Sequence, residues 1–200
     1  MVGRRFSDKF RSQWIKVKFY KEKPNLKEAK RLEGVRFCEA TKEAIIYPVL
    51  LDRESISCLG AQYAFGWRTD YKDELLESCY DKWQTPKDTL KSMLSRMPYF
   101  KEPPKYIGLN TEGESDLVMS YMTPKEVMNL LKMYHCRQGE NLDVSLCTMM
   151  SICGGVAVKT YLEEKISLSF GCDDSRNFAD IRRDNLAVGI PKRLFKVFVD

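Results

Sequence analysis

The residues of this sequence that are best suited to chemistry are its cysteines. There are seven of them in 200 residues, namely Cys38, Cys58, Cys79, Cys136, Cys147, Cys153 and Cys172. No two form a CxxC pair, so the local signature of zinc ribbons and ferredoxins is missing. A metal centre in this protein would therefore need thiols from separated segments of the chain.

Four of the cysteines lie beside glycine or near a predicted helix start, where ligands and reactive thiols are often found. They are Cys38, Cys58, Cys153 and Cys172. Glycine lets backbone N–H groups approach a sulfur, and a helix N-terminus lowers the pKa of a thiol. Four converging thiolates could hold an iron–sulfur cluster or, less favourably, a tetrahedral zinc ion, with Cys147 as a substitute for Cys153. The alternative is that all four are small buried residues of a packed core.

A second group of residues predicts a site for a small anionic ligand. Arg176 and the backbone amides that follow Gly171 and surround Gly154 and Gly155 could grip an anionic group. The aromatic side chains expected beside that group are Tyr63, Phe65 and Trp67. If a cluster is bound instead, Arg176 would lie near its anionic sulfurs and raise its potential.

Several familiar catalytic patterns are absent from the sequence. There is no Walker loop, GxGxxG, GxSxG or HExxH motif. The single histidine, His135, lies beside Cys136 at the end of a predicted helix, where it suits a C-terminal cap better than a catalytic pair. Whether the protein is an enzyme is left open by these residues.

The basic residues are concentrated in the first quarter of the chain. Residues 1–50 carry 13 Lys/Arg against 6 Asp/Glu, whereas the remaining residues carry 20 against 22. Lys16 and Lys18 alternate with Trp14 and Phe19, so nucleic-acid binding by cation and stacking contacts is a third hypothesis. The simpler interpretation is lysines scattered over a solvated helix and an edge strand.

Composition and hydropathy indicate a cytosolic protein with reduced thiols. No apolar run approaches the roughly 20 residues that a membrane span needs, and the start lacks the apolar middle of a signal peptide. In a reducing cytosol, seven cysteines favour free thiols, a metal site or a redox site over disulfides. The expected partners are a small anionic ligand or a redox partner, with a homo-oligomer as a further option; no membrane is expected, and nucleic acid is the weaker alternative.

The elements that must position these side chains form a mixed pattern of helices and strands. Helices are predicted over residues 4–14, 34–47, 55–65, 76–83, 85–97, 123–134 and 154–162. Strands are predicted over residues 14–20, 106–109, 116–122, 142–146, 166–170 and 186–190. Because strict βα alternation is missing, the pattern predicts a single α+β domain over 1–200, with a mixed or antiparallel sheet packed by several helices. Residues 1–13 would form a peripheral N-terminal helix.

Several short motifs carry a resemblance to a known family. They are Val35–Ala40, Cys58–Ala61 with Gly66, Asp116–Val118 leading to Thr123-Pro124, Ser167–Cys172 with Arg176, and Gly189–Pro191 with Leu194. In order and spacing they resemble, from about Trp14 to Phe195, the archaeal and bacterial family catalogued as domain of unknown function 169. The resemblance implies a prokaryotic cytosolic protein, often from anaerobes, and it brings no established activity.

The resemblance also bears on individual cysteines. It implies that cysteines are common at the positions of Cys38 and Cys58 and more variable at that of Cys172. The glycine usual between Cys172 and Arg176 is replaced here by Asp173-Asp174. These acidic residues make a site that requires close approach to the backbone at that turn less favourable.

Overall fold

A seven-stranded mixed sheet organises the computed structural model, which describes residues 13–68, 72–146, 148–179 and 181–199. Its strands are β1 (Ile15–Tyr20), β2 (Lys30–Arg31), β3 (Val49–Leu51), β4 (Tyr106–Leu109), β5 (Leu117–Met122), β6 (Ser167–Ser169) and β7 (Leu186–Pro191). They lie in the order β2-β3-β4-β1-β5-β7-β6. Only the pairing of β2 with β3 is parallel among these strands. Nearly all of the predicted 4–14 helix, and Cys147, lie outside the described residues.

Helices cover both faces of this sheet. They are α1 (Phe37–Glu43), α2 (Leu59–Ala64), α3 (Lys72–Trp83), α4 (Lys87–Ser95), α5 (Pro124–Gln138), a π-helix (Cys153–Val158) that continues into α6 (Lys159–Glu163), α7 (Asp173–Phe178) and α8 (Lys192–Val199). Together with the mixed sheet they confirm the predicted single α+β domain. None of the described helices is long and apolar enough to cross a membrane.

Strand alternation divides the apolar core into two parts. Ile15 and Val17 of β1 point to the larger cluster, which also contains Phe37 and Phe65 from the helices on that side. Val188 of β7 points the other way, into a smaller cluster beneath α5 and α8. Because successive side chains of a strand face opposite sides, the central strands contribute to both clusters.

Local signals place α5 as predicted. Thr123 is its N-cap and accepts a hydrogen bond from the Glu126 backbone, while the Glu126 carboxylate accepts one from the Thr123 amide at 2.9 Å. The helix ends at Gly139, whose φ of 70° is the left-handed conformation that glycine adopts readily. The helix N-terminus at Thr123 is therefore encoded locally, by the capping box.

Several predicted elements differ from the observed ones. Residues 142–146 form no strand, since this segment is largely exposed and pairs with no strand among the described residues. The basic strand β1 is central and not at an edge, because it pairs with both β4 and β5. The alternation over residues 166–170 predicts one buried apolar face and an opposite face of serines. Ile166 is buried and Leu168 is half-buried as predicted, but Phe170 is 54% exposed, and Ser167 and Ser169 are buried as well. Serine at these positions allows the neighbouring π-helix to pack closely on the strand.

Candidate functional site

One cavity, of about 250 Å³, is lined by cysteines from five separate parts of the chain. These residues are Cys38, Cys58, Cys79, Cys153 and Cys172, and we refer to the space between them as the thiol cavity. All four cysteines singled out in the sequence therefore line one space, together with Cys79, which is also part of the larger core cluster. Cys147 lies outside the described residues, and Cys136 is exposed.

Helix starts present most of these thiols. Cys38 is the second residue of α1 and Cys153 the first residue of the π-helix. Cys58 and Cys172 are the N-caps of α2 and α7. Each of the four thus belongs to a turn that begins a helix, as their glycine-rich surroundings suggest, whereas Cys79 lies within the longer helix α3.

Burial dominates the electrostatics of the thiol cavity. Desolvation, reinforced by the charges that Cys172 and Cys58 would carry, raises the pKa of Cys38 to about 12. Burial likewise raises the pKa of Cys58, Cys79 and Cys153 above the ordinary value. The backbone N–H groups of Ala61 and Gly60 oppose the rise in the pKa of Cys58. Because a thiol binds metal as the thiolate, a metal ion would displace protons from these sulfurs.

One wall of the thiol cavity has an unusual backbone. Met150 is 5% exposed and has a φ of +48°, the left-handed region that side chains adopt only at a cost. Its carbonyl accepts the amides of Gly154 and Gly155, each at 2.9 Å, at the start of the π-helix. Strained residues and π-helices are both concentrated at functional sites, and here both lie in the wall of one cavity.

A buried pair of hydroxyl groups lies on the sheet side of Cys38. The hydroxyls of Tyr121 on β5 and Thr41 on α1 are 2.6 Å apart, and Thr41 also donates to the Cys38 carbonyl at 2.7 Å. Burial raises the pKa of Tyr121, and charge on Cys38 or Cys172 would raise it further. Neither hydroxyl was singled out in the sequence, because no local pattern relates β5 to α1.

An ionic network crosses the rim of the thiol cavity. Asp174 accepts a hydrogen bond from Lys82 at 3.0 Å, and its other oxygen lies 3.7 Å from the Nε atom of Arg36. The Arg36 guanidinium also stacks 3.8 Å from the ring centre of Phe178. This network joins α1, α3 and α7 at the side where Cys172 is partly exposed.

The residues predicted for an anion site are not gathered at the thiol cavity. Arg176 donates to the carbonyls of Arg182 and Asn185, so its guanidinium holds the 181–185 loop. Gly171 has a φ of +87° and serves the turn, while Gly154 packs against Ala64 in the core. None of these residues, nor Gly155, is among the described residues that line the cavity, and Tyr63, Phe65 and Trp67 belong to the larger core cluster.

The basic residues of β1 contact protein groups on their own face of the sheet. Lys18 forms an ion pair with Asp116 at 2.6 Å, and Lys16 donates to the Gly113 carbonyl at 3.3 Å. Hydrogen bonding to Asp116 raises the pKa of Lys18, which keeps this pair charged. Lys18 is therefore engaged in an internal ion pair and Lys16 in a backbone contact.

As placed, no group of three or more Cys, His, Asp or Glu side chains within the described ranges has the geometry to hold a metal ion.

No curated protein and no solved structure matches the chain. A family model described as Uncharacterised ArCR, the domain of unknown function 169, matches residues 9–200. Because this match covers nearly the whole chain and agrees with the motifs in the sequence, the protein belongs to the domain of unknown function 169 family.

Proposed function

We propose that this protein binds an iron–sulfur cluster in the thiol cavity and serves a redox reaction or an accessory step of one. The ligands would be Cys38, Cys58, Cys153 and Cys172. The observation that carries the proposal is that these four thiols, from four distant segments, line one half-open cavity. Sulfur donors of this number and softness are those that iron–sulfur clusters take.

The size of the thiol cavity favours a cluster over a single zinc ion. Zinc–sulfur bonds of about 2.3 Å in a tetrahedron bring the four sulfurs to within about 3.8 Å of one another and leave no open space between them. Here the thiols line, together with other side chains, a half-open cavity of about 250 Å³. That space is available to the iron and sulfide of a cluster without a collapse of the surrounding helices.

The surroundings of the thiol cavity also suit an anionic cluster. Arg36 and Lys82 both line it beside Asp174, and hydrogen bonding to Asp174 raises the pKa of Lys82, so that Lys82 remains cationic. Positive charge and amide groups near cluster sulfurs stabilise the more negative, reduced form. In this proposal the cationic role once expected of Arg176 falls to Arg36 and Lys82. A bound cluster would supply electron transfer.

Anaerobic reconstitution with ferrous iron and sulfide tests the proposal. We expect the wild-type protein to retain iron and acid-labile sulfide after desalting and to show visible charge-transfer absorption. Cys38→Ser and Cys153→Ser should lose both, because each removes a buried ligand. Cys79→Ser, which alters a thiol of the same cavity outside the proposed ligand set, and Cys136→Ser, which alters an exposed thiol, should retain them.

Other results would overturn the proposal or its ligand set. Wild-type protein that retains neither iron nor sulfide would refute the cluster. Retention of zinc alone, at one ion per chain, would replace it by a mononuclear site. Loss of the cluster from Cys79→Ser but not from Cys153→Ser would show that the ligands are assigned wrongly.

A small anionic ligand in the same cavity is the second candidate function. Arg36 and Lys82 supply the cations, and Leu75 and Trp83 supply apolar walls. Trp83 makes this testable, because a ligand in the cavity should change its fluorescence. A titration with small carboxylates that changes the emission of wild-type protein but not of Trp83→Phe would favour this function. No response in either protein would count against it.

A further inference from the structure

A hydrogen-bond chain links the sheet to the first turn of α1. The Tyr121 hydroxyl lies 2.6 Å from the Thr41 hydroxyl, which lies 2.7 Å from the Cys38 carbonyl oxygen. Thr41 is fully buried. The chain therefore ends on the backbone of a cysteine whose side chain lines the thiol cavity.

The direction of both hydrogen bonds follows from counting protons. A threonine hydroxyl carries a single proton, and a carbonyl oxygen can only accept. Thr41 thus donates its proton to Cys38, and Tyr121 must donate to Thr41. Each hydroxyl thus has a defined donor role, and removal of the Thr41 hydroxyl breaks both hydrogen bonds, whereas removal of the Tyr121 hydroxyl breaks only the bond to the sheet.

The Cys38 segment has reason to need such an anchor. Helix α1 has only seven residues, and helices of that length gain little stability from their own hydrogen bonds. Its N-terminus is held by the Glu39 carboxylate, which accepts the Arg36 amide at 2.8 Å. Phe37 packs in the larger core cluster, and Asn110 donates to the Ala44 carbonyl at the C-terminal end of the helix at 2.7 Å. The Thr41–Tyr121 pair adds a hydrogen bond to the sheet from the residue that also bonds the Cys38 carbonyl.

We propose that Tyr121 is a positioning residue for the thiol cavity, which acts through Thr41 to fix the direction in which α1 presents the Cys38 sulfur. The proposal rests on the proposed function only in that Cys38 is a cluster ligand. The claim that the hydroxyl chain orients Cys38 holds with or without a cluster.

The test compares two replacements that each remove one hydroxyl group with a third that retains it. Thr41→Val removes the hydroxyl and keeps the shape, Thr41→Ser keeps the hydroxyl, and Tyr121→Phe removes the donor at the other end. Thr160→Val is the matched control: Thr160 is equally buried, but its hydroxyl has no hydrogen-bond partner among the described residues. The folded fraction of every variant is checked by urea denaturation, and all measurements are made where each is fully folded.

The first measurement is the alkylation rate of Cys38 in metal-free protein, followed by mass spectrometry. We expect faster labelling in Thr41→Val and Tyr121→Phe, and wild-type rates in Thr41→Ser and Thr160→Val. The double variant that combines Thr41→Val with Tyr121→Phe should label no faster than Thr41→Val alone, because both changes break the same chain of hydrogen bonds. Equal labelling of Thr41→Val and Thr41→Ser would overturn the inference.

The second measurement is the rate at which a chelator removes iron from the reconstituted protein. Residues that orient metal ligands commonly contribute 10–100-fold to metal affinity, so we expect release from Thr41→Val to be roughly 10–100-fold faster, with rescue by Thr41→Ser. If wild-type protein binds no cluster while Cys38 labelling still depends on the Thr41 hydroxyl, the proposed function fails and the positioning role stands. If the cluster binds but neither the alkylation rate of Cys38 nor the rate of iron release depends on the Thr41 hydroxyl, the positioning role is refuted and the proposed function stands.

Discussion

Replacing Cys38 with alanine is expected to remove a defined part of the protein's sensitivity to alkali. Burial and the neighbouring thiols raise the pKa of Cys38 from 9.0 to about 12 in the folded protein. An unfolded chain would release this proton near the ordinary value. As the pH rises, the unfolded state therefore ionises first and becomes relatively more favourable.

The size and the pH range of the effect follow from the two pKa values. The contribution of Cys38 to stability is fully present below pH 9 and is lost as the pH rises through the folded pKa, near 12. Each pKa unit corresponds to about 1.4 kcal/mol, so the whole window is worth about 4 kcal/mol. At pH 10 the loss reaches about 1.4 kcal/mol of unfolding free energy.

Urea denaturation of reduced, metal-free protein at pH 7 and pH 10 measures this contribution of Cys38 to the free energy of unfolding. We expect the drop in unfolding free energy between the two pH values to be about 1.4 kcal/mol smaller in Cys38→Ala than in the wild type. Cys136→Ala is the control, because that thiol is exposed and does not line the thiol cavity. An equal drop in Cys38→Ala and wild type would refute the reasoning that Cys38 is desolvated among other thiols.

Two further predictions concern single residues at turns and at a helix cap. Gly66→Ala is expected to cost about 3 kcal/mol or more of unfolding free energy, because φ is +69° and a methyl group would lie 2.2 Å from the Phe100 carbonyl oxygen. Gly113→Ala, at φ +83° in open space, should cost only about 1–2 kcal/mol by urea denaturation, and equal losses would contradict the steric argument. Thr123→Ala is expected to cost about 1 kcal/mol through loss of the α5 cap, and Thr123→Ser close to nothing. Circular dichroism during urea titration measures the unfolding midpoints of Thr123→Ala and Thr123→Ser, and identical midpoints would contradict this prediction.

The sequence predicts those parts of the fold that depend on near neighbours. The alternation around Ile15 and Val17 predicts β1, and the Thr123–Glu126 capping box predicts α5; both are confirmed. Strand order cannot be predicted from near neighbours, because β1 pairs with β4 and β5 through residues about 100 positions away in the chain. For that reason a strand with two lysines was wrongly expected at an edge.

The residues of the candidate site fall into the same two groups, those with a local signal in the sequence and those that only folding brings together. Glycine and helix-start signals drew attention to four cysteines that all line one cavity. The same kind of signal also drew attention to Arg176 and Gly171, whose contacts serve a loop and a turn. Tyr121 and Lys82 have no local signal at all, since only the packing of β5 and α3 against α1 and α7 brings them there. Residue type is thus readable in the sequence, whereas convergence is a property of the folded chain.

The scattering of the cavity walls along the chain has a consequence for biosynthesis. Cys38 emerges early during translation, but the segment that carries Cys172 follows more than a hundred residues later. A nascent chain therefore cannot complete the thiol cavity until the Cys172 segment has been synthesised and has packed against the segment that carries Cys38. Any group bound by all of these thiols would have to be acquired after that folding step.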